Sequence, residues 1–415
     1  MSTPHPNTDV RMRGFTQRSA YDEAQLWLQR KIDQLNPIGS EKIPVFEAAS
    51  RVLAKDVISR VHVPSFSRAM MDGYALRSTD IELASDARPI QLKVIGECFP
   101  GKKFERTVAP GQAVRIMTGA PLPLDVDAVL PVEKTQTNEG SIIVQQPLAA
   151  GKNFGQIGED IQQGDIVLRR GRTLRPQDIG LLCSIGHSVV EVVGRPRINL
   201  VITGSELLPA GQQPAGCQIV DSNGPMLSEL VQRDGGLPHH LGILPDNREA
   251  IREALSQDAD ILIASGGSSV GQEDHVPILV AEQGELAIHG VAMRPAAPLG
   301  LGTLAGRLVF LLPGNPVASL CGYDLFAGRA VRSLGGHAPD LPHRKTTMKL
   351  AKEIQSPVGR TDYVRVEIVA GTLQPLVGCG ASVLSSSCRA AGFVMVPGPS
   401  SGYPAGTDVE VFLYD

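Results

Sequence analysis

The segment DILIASGGSSVGQEDH, residues 260–275, places a short apolar run directly before a loop rich in glycine and serine. An apolar run of strand length that ends in glycines predicts a buried strand and a turn, and a helix is expected to begin near Asp274. Glycine loops of this kind often approach a phosphate, but the phosphate loop of nucleotide hydrolases ends in Lys followed by Ser or Thr. This loop ends in Gln272, Glu273 and Asp274, so it offers acid where a lysine is usual.

The same alternation of strand and helix extends over residues 197–336. Predicted helices begin after Asp221-Ser222-Asn223, at Asp246 and after Asn315, and these residue types favour helix starts. Strand followed by helix, repeated, implies parallel strands with right-handed crossovers and helices on both faces of the sheet. We therefore predict a doubly wound α/β domain with helices at 225–234, 246–257, 274–283 and 316–334, and a short strand around Val291.

The remaining sequence is richer in strands. Apolar spacing from Tyr21 to Leu35 predicts one amphipathic helix, and Pro176 and Gly186 bound a second, short one. Residues 61–143 consist of short Val- and Ile-rich pieces between Gly and Pro, which predicts a β-rich module. Four more alternating segments beyond Pro342 predict a small barrel or sandwich. The order along the chain is mixed α/β, β-rich, α/β and β.

Composition excludes several classes of protein. Acidic residues number 43 and basic residues 39, with no long run of either sign, which argues against nucleic acid and a basic membrane surface as partners. The six cysteines form no C-x-x-C pair and no Cys/His cluster, which argues against a zinc site and a disulfide framework. The first 15 residues lack the apolar core of a signal peptide and no apolar run approaches the roughly 20 residues of a bilayer span, so neither feature is expected. A soluble, cytoplasmic protein is expected.

Ligands of a doubly wound sheet bind beyond the carboxyl ends of its strands. Four such ends carry Gly or Pro with polar residues, namely TGSE (203–206), SGGSS (265–269), MRPAAP (293–298) and PGNP (313–316). Glycines there let backbone N–H groups approach an anion, although a single strand-to-helix turn favours glycine for its geometry alone. Four such loops in one domain favour a binding site.

Acidic residues near a phosphate predict a divalent cation. Glu206 and Asp274 would repel a phosphate unless Mg²⁺ bridged carboxylate and phosphoryl oxygens. The alternatives are a helix N-cap for Asp274 and a solvated loop residue for Glu206. Arg294 is the cation among these strand ends, and its planar guanidinium suits a tetrahedral oxyanion, with a surface arginine as the alternative.

Five motifs in order resemble the molybdopterin molybdenumtransferases, the family that includes the E domain of gephyrin. They are MDGYA (71–75), MTGAPLP (117–123), TGSEL (203–207), SGGSSVG (265–271) with Asp274 after it, and LLPGNPVAS (311–319). The resemblance runs from about Tyr21 to the C-terminus. Judged from local pattern alone, MDGYA and MTGAPLP are turns between strands, so their functional weight comes from the resemblance.

The resemblance implies a four-part subunit and a homodimer. The expected parts are an elongated N-terminal domain in two segments (21–60 and 150–193), an inserted β-rich domain (61–149), an α/β domain (194–338) and a small C-terminal β-barrel (339–415). In the dimer, the inserted domain of one subunit would help to close the site on the α/β domain of the other. A molybdopterin adenylyltransferase is a further expected partner.

The reaction implied is insertion of molybdate into adenylated molybdopterin, with Mg²⁺-dependent hydrolysis that releases AMP. The catalytic residues would be Asp72, Thr118, Glu206 and Asp274, of which Glu206 and Asp274 would also hold the metal. Arg360 competes with Arg365 for an oxyanion-binding role. The expected substrate-binding residues are Asp160, Gly204, Ser265, Gly266, Gly267, Ser269, Arg294, Pro298, Pro313, Gly314, Asn315, Arg365 and Ser386.

One stretch departs from the family. Where the family has Lys-Pro-Gly-Lys-Pro, this chain has Arg294-Pro295-Ala296-Ala297-Pro298, so the second cation is replaced by Ala297. Loss of one of two charges at an oxyanion site costs on the order of 1–3 kcal/mol. Two alternatives stay open: a paralogue that binds molybdopterin or its adenylate as a carrier or scaffold, and a molybdopterin adenylyltransferase, which shares the α/β domain but is disfavoured by the four-part layout. Loss of the cation favours the carrier, and retention of the acidic positions favours the molybdenumtransferase.

Overall fold

The structure is a computed structural model that describes residues 18–266, 274–376, 378 and 380–414. Its Cα atoms form two compact units, one of Lys42–Val192 and one of the residues before and after that segment. The boundaries of the four predicted domains stay predictions. The helices are α1 Tyr21–Ile32, α2 Pro176–Ser184, α3 Asn223–Arg233, α4 Arg248–Ser256, α5 His275–Gln283, α6 Pro316–Gly322, α7 Gly328–Leu334 and α8 Ser385–Arg389, with a π-helical turn, Tyr323–Ala327, between α6 and α7.

The unit Lys42–Val192 contains the β-rich module. One sheet has the strand order β7-β4-β6-β5-β9-β8, and it is antiparallel except where β5 and β6 run parallel. Short strand pairs β10-β3, β11-β2 and β1-β12 accompany it. The strands are β1 Ser40–Pro44, β2 Val57–Ile58, β3 Arg68–Ala69, β4 Gly73–Leu76, β5 Ile90–Cys98, β6 Gln112–Ile116, β7 Ala128–Pro131, β8 Thr135–Asn138, β9 Ser141–Val144, β10 Phe154–Gly155, β11 Ile166–Leu168 and β12 Val189–Val193.

The other unit is built on a mixed α/β sheet with the order β16-β13-β17-β21-β20-β18. The first four strands are parallel. Successive side chains of β13 enter different cores, because Leu200 packs with α3 and α7, whereas Val201 packs with α4 and α5. The strands are β13 Arg197–Thr203, β14 Leu207–Leu208, β15 Ile219–Val220, β16 Leu237–Leu244, β17 Ile261–Ser265, β18 Gly284–His289, β19 Met293–Arg294, β20 Gly300–Leu304 and β21 Arg307–Leu312.

Two expectations for this sheet are wrong. The short strand expected around Val291 is observed two residues later, as β19, but it pairs outside this sheet, whose edge strand is β18; Val291 itself makes an isolated bridge to Ser19. The sheet is also not wholly parallel, since β20 pairs antiparallel with both β21 and β18. The reason is a two-residue turn, Ala305-Gly306, in which both residues have positive φ angles of 50° and 77°. A turn of that kind joins antiparallel neighbours.

Residues beyond Pro342 form a sheet with the order β19-β24-β26-β28-β22, and β25 adds to β24. The strand β19, which lies between the strands of the α/β sheet in the chain, thus pairs with the C-terminal sheet. It runs parallel to β24 and sets Arg294 opposite Asp362. The strands are β22 Arg344–Lys349, β23 Ile354–Gln355, β24 Thr361–Val369, β25 Thr372–Pro375, β26 Gly392–Val396, β27 Gly402–Tyr403 and β28 Asp408–Leu413.

The first helix packs as its pattern predicts. Its apolar face, formed by Ala24, Leu28 and Ile32, lies in the same core as Leu200 of β13. The side-chain amide of Gln25 donates to the carbonyl of Leu325 at 3.0 Å. The helix therefore belongs to the core of the α/β sheet, although more than 150 residues separate it from β13 in the chain.

Candidate active site

Three strand-end loops of the α/β sheet meet closely. Gly266, at φ 90°, follows β17, and a Cβ atom placed on it would lie 2.1 Å from the carbonyl oxygen of Thr203, the last residue of β13. A Cβ on Gly314, beyond β21, would lie 3.8 Å from the Cα of Gly266. Glycine at 266 thus allows backbone-to-backbone packing that a side chain would block, whereas a Cβ at Gly314 would make an ordinary van der Waals contact. Gly267 and Ser269 lie outside the described residues.

Asn223 connects two of these loops, and the sequence did not single it out as a site residue. Its side-chain amide donates to Ser265 Oγ at 2.9 Å and to the carbonyl of Gly314 at 2.7 Å. Its Oδ1 atom and the Thr203 hydroxyl are buried, and neither has a hydrogen-bond partner among the described residues. Two polar atoms without partners in a buried position carry a desolvation cost, which a bound polar ligand would relieve.

Asp221 fixes Asn223 at the start of α3. Its Oδ1 atom accepts hydrogen bonds of 2.9 Å from the N–H groups of Asn223 and Gly224. Burial alone would raise the pKa of Asp221, but the His240 imidazole and the two backbone N–H groups outweigh it and lower that pKa. A carboxylate held at this end of α3 caps the helix, as the sequence predicts.

Glu206 lies over Gly204. A Cβ on Gly204, which has φ 153°, would come within 2.9 Å of Glu206 Oε2, and the Glu206 side chain is exposed to solvent. The neighbouring residue Ser205 donates from its backbone N–H and its hydroxyl to Asp246, at 2.8 and 2.9 Å. Asp246 was expected to cap α4, and this is wrong. Asn247 caps α4, and Asp246 instead holds the TGSE loop.

Asp274 immediately precedes α5 and is half-buried. Its side chain makes no capping hydrogen bond to the helix, so the structure does not support the alternative that Asp274 serves as a helix cap. Pro313 is buried, whereas Gly314 and Asn315 are exposed at the start of α6. The structure therefore leaves both Asp274 and the PGNP loop accessible at the carboxyl edge of the sheet.

A pocket of about 600 Å³ lies where β19 joins the C-terminal sheet. Arg294 and Arg365 both line it, together with Lys352, which the sequence did not indicate. Arg365 is buried, and one of its terminal nitrogens donates to the carbonyl of Gly380 at 3.5 Å. The next residue, Ala381, accepts a 3.0 Å hydrogen bond from the N–H of Val317 in α6, so the pocket adjoins the helix that follows PGNP.

Three other candidates stand apart from the lining of this pocket. Arg360 makes a two-pronged ion pair with Asp362, at 2.8 and 3.2 Å. Ser386 is fully buried and donates its hydroxyl to the carbonyl of Val383. Pro298 is half-buried in the loop before β20. Among the residues that the structure describes, none of the three lines the pocket.

Asp72 and Thr118 meet in the unit Lys42–Val192. Thr118 donates from its N–H and its hydroxyl to Asp72 Oδ1, each at 2.7 Å. These two hydrogen bonds hold the pKa of the Asp72 carboxyl below its usual value, and the bond from the N–H has the larger effect. Asp160, in the same unit, is exposed beside Asp165 and Arg169 in an open depression. The motifs MDGYA and MTGAPLP, far apart in the chain, therefore lie side by side.

No group of three or more His, Cys, Asp or Glu side chains is placed to hold a metal ion within the described parts of the chain. Magnesium commonly binds through only one or two carboxylates together with waters and substrate phosphates, so this finding does not bear on it. None of the helices in the described residues combines the length and the hydropathy of a transmembrane span.

Family models match most of the chain in consecutive parts. The model described as the MoeA N-terminal region, domains I and II, matches residues 19–186. The probable molybdopterin binding domain matches 199–333, and the MoeA C-terminal region, domain IV, matches 347–414. Fold and sequence together thus define a multidomain protein of the MoeA type.

Curated relatives and a solved structure agree with this class. The molybdopterin molybdenumtransferase of Staphylococcus aureus is 31% identical over 93% of this chain and 94% of its own. That of Haemophilus influenzae is 34% identical over 79% of this chain and 81% of its own. The crystal structure of a molybdopterin biosynthesis MoeA protein from Pyrococcus horikoshii is 32% identical, with a TM-score of 0.82 over 96% of this chain and all of that one.

The chain belongs to the molybdopterin molybdenumtransferase family, a family of transferases in molybdenum cofactor biosynthesis. The resemblance carried by the five motifs is thereby confirmed, and so is the expected enzyme class.

Proposed function

We propose that this protein inserts molybdate into adenylated molybdopterin and releases AMP by hydrolysis of the phosphoanhydride bond. The observation that carries the proposal is the close meeting of the strand ends of β13, β17 and β21, the last two of which are linked by Asn223. They lie at the carboxyl edge of the sheet, where ligands of α/β folds bind, and glycine there lets a ligand approach the backbone closely. A phosphoryl oxygen placed there could accept a hydrogen bond from the buried Thr203 hydroxyl, whereas the buried Asn223 Oδ1, itself an acceptor, would take an N–H or O–H group of the ligand.

The donor chemistry of this edge fits Mg²⁺. Glu206 and Asp274 provide carboxylate oxygens, the ligands that a small hard cation prefers. The exposed Glu206 carboxylate lies beside Gly204, at the loop where a phosphate would approach the backbone. When bound, Mg²⁺ would neutralise phosphoryl charge. Ser205 and Asp246 would hold the Glu206 loop in place through their two hydrogen bonds.

The oxyanion would bind in the pocket between β19 and the C-terminal sheet. Arg294 and Arg365 line that pocket from two parts of the chain, and their guanidinium groups can donate in pairs to tetrahedral oxygens. Arg360 is committed to Asp362, so Arg365 is the better candidate for molybdate. Ser386 would support the segment that carries Gly380 and Ala381, since its hydroxyl is used internally.

The finer organisation belongs to the same proposal. We assign the subunit an elongated N-terminal domain, an inserted β-rich domain, the α/β domain and a small C-terminal β-barrel, acting as a homodimer in the cytoplasm. The inserted domain of one subunit would present Asp72 and Thr118 to the α/β domain of the other, and Asp160 would bind substrate from the elongated N-terminal domain. The Asp72–Thr118 hydrogen bonds support this role, because they fix an ionised, exposed carboxylate. A molybdopterin adenylyltransferase would supply the adenylated substrate.

The test is release of AMP from adenylated molybdopterin in the presence of molybdate and Mg²⁺. The wild-type protein should release AMP only when both ions are present, and Glu206→Gln should lower the rate at least tenfold. Glu139→Gln, in the exposed turn between β8 and β9, is the matched control and should leave the rate unchanged. Tight binding of the adenylate with no AMP release under any condition would overturn the proposal in favour of a carrier protein.

A further inference from the structure

The pocket between β19 and the C-terminal sheet carries an excess of positive charge. Its lining includes the cations Arg294, Lys352 and Arg365 and the acids Glu353 and Asp362. Asp362 is paired with the Arg360 guanidinium. The lining therefore holds three cations and one acid, Glu353, that is not paired with an arginine. This excess of positive charge favours the binding of an anion.

Two of these cations are available to a ligand. Neither the Arg294 guanidinium nor the Lys352 ammonium makes a hydrogen bond or ion pair with any described residue, and both side chains are exposed to the pocket. A nearby lysine shows the contrast, since Lys349 is bound to Asp408 at 3.3 Å and to the carbonyl of Gly406 at 3.1 Å. Lys349 is thus held in a surface ion pair, whereas Lys352 is not.

The fold brings Lys352 to the site from a separate element. Arg294 is placed by the pairing of β19 with β24, the strand that also carries Arg365. Lys352 lies between β22 and β23, and its position is fixed by the buried residues Leu350 and Ile354 on either side. Ala297, by comparison, carries no charge and does not line the pocket within the described part of the chain.

We infer that Lys352 is a third oxyanion-binding residue, which completes with Arg294 and Arg365 a site for a tetrahedral dianion. The inference rests on the proposed function, because that function supplies molybdate as the ligand. Two guanidinium groups bind oxygens in fixed pairs, and a flexible ammonium adds a point charge toward the remaining oxygens. Lys352 thereby provides the charge that Ala297 lacks.

Titration calorimetry with sodium molybdate tests the inference on the full-length protein. Lys352→Gln should weaken binding about tenfold, as expected for one charge-assisted contact. Lys349→Gln should bind as the wild type does, and Arg294→Gln should weaken binding at least as much as Lys352→Gln. The Lys352→Gln variant should also lose binding less steeply as sodium chloride is raised. Circular dichroism and thermal unfolding of each variant show that the fold is unchanged.

The outcomes separate the inference from the proposed function. Wild-type affinity in Lys352→Gln, with weakened binding in Arg294→Gln, would overturn the role of Lys352 and leave the oxyanion site in place. An equal loss in Lys349→Gln would also overturn it, since the effect would then be one of general surface charge. No binding of molybdate by the wild type would overturn the site altogether, and the AMP-release assay would then decide the proposed function by itself.

Discussion

Asn223 uses both hydrogens of its side-chain amide inside the protein, one on the loop after β17 and one on the loop after β21. The same residue is held by Asp221 at the start of α3. At the scale of the single residue, the candidate site is therefore organised by a side chain that is 7% exposed, in the same range as many core residues. Its task is to keep two loops in register, and any contact with a ligand is made through the remaining Oδ1 atom.

Replacement of Asn223 by alanine should destabilise the protein and loosen the site. The change removes two buried hydrogen bonds and leaves Ser265 and Gly314 without their donor, so unfolding should be easier by about 1–3 kcal/mol. The affinity for adenylated molybdopterin should fall as well. Chemical denaturation and ligand titration measure the two effects. Asn138→Ala, at the exposed end of β8, should change stability by no more than about 0.5 kcal/mol.

The Asp72 carboxyl should titrate at a higher pH when the Thr118 hydroxyl is removed. Thr118→Val keeps the backbone N–H and deletes the side-chain donor, so the lowered pKa of Asp72 should rise part of the way toward its usual value. Because the native pKa is depressed, the associated stability is present at neutral pH and disappears as the pH falls through that pKa. NMR titration of labelled aspartate carboxyls measures the shift. An unchanged pKa would show that the hydroxyl bond is absent in solution.

Site residues that belong to a recognisable motif could be predicted from the sequence. Residues that reach the site only through the tertiary fold could not. Glu206, Asp274 and Arg294 stand out because charges next to glycine turns are unusual. Lys352 stands in no motif, and only the pairing of β19 with β24 creates the pocket that it lines. Asp246 was mistaken for a helix cap because Asp and Asn both favour the N-cap position and stand next to each other here. In the structure Asn247 occupies that position.

At the scale of the element, the strand-to-helix turns depend on glycine in unequal degree. Gly266→Ala should be far more damaging than Gly140→Ala, although both residues have positive φ angles, 90° and 68°. Alanine at 140 meets no atom within 4 Å and suffers only backbone strain of about 1 kcal/mol. Alanine at 266 would also collide with the carbonyl of Thr203. Equal losses of stability in denaturant would contradict the close packing of these loops.

Helix positions were predictable to within about two residues, and strand partners were less so. The helices expected at 225–234, 246–257 and 274–283 are observed at 223–233, 248–256 and 275–283. Apolar periodicity and capping residues are local signals, so they are visible in a single sequence. The direction of β20 was not predicted, because it depends on a turn in which Ala305 and Gly306 both have positive φ angles. Alanine rarely adopts a positive φ, so its presence in the sequence does not indicate such a turn.

At the scale of the whole molecule, the two compact units should unfold in separable transitions. Asp178, in Lys42–Val192, is buried and accepts hydrogen bonds from Arg172 and Arg175. Asp234, in the other unit, is buried and accepts from Arg332. Scanning calorimetry should show that Asp178→Asn lowers the midpoint of one transition and Asp234→Asn that of the other. A single transition that both variants shift equally would contradict this.

Acid should weaken the Lys42–Val192 unit partly through Asp178. Burial alone would raise the pKa of this carboxyl, but hydrogen bonds from Arg172 and Arg175 outweigh it and the pKa is lowered. Its contribution is therefore complete above the unfolded value of about 4 and is lost as the pH falls through the native value. The difference in stability between wild type and Asp178→Asn should be about 1–3 kcal/mol at pH 7 and should shrink in acid. A difference independent of pH would rule out this role.

Helix α1 leads to a last consequence, which concerns the order of synthesis. Ala24, Leu28 and Ile32 bury themselves against a core whose first strand begins at Arg197. At a translation rate of roughly 5–20 residues per second, this helix waits on the order of 10–30 s before its partner strands leave the ribosome. During that time the segment Lys42–Val192, with cores of its own, can fold first. A newly synthesised chain thus exposes the apolar face of α1 while the segment that follows it is already folded. Exposed apolar faces of this kind are what chaperones of nascent chains bind.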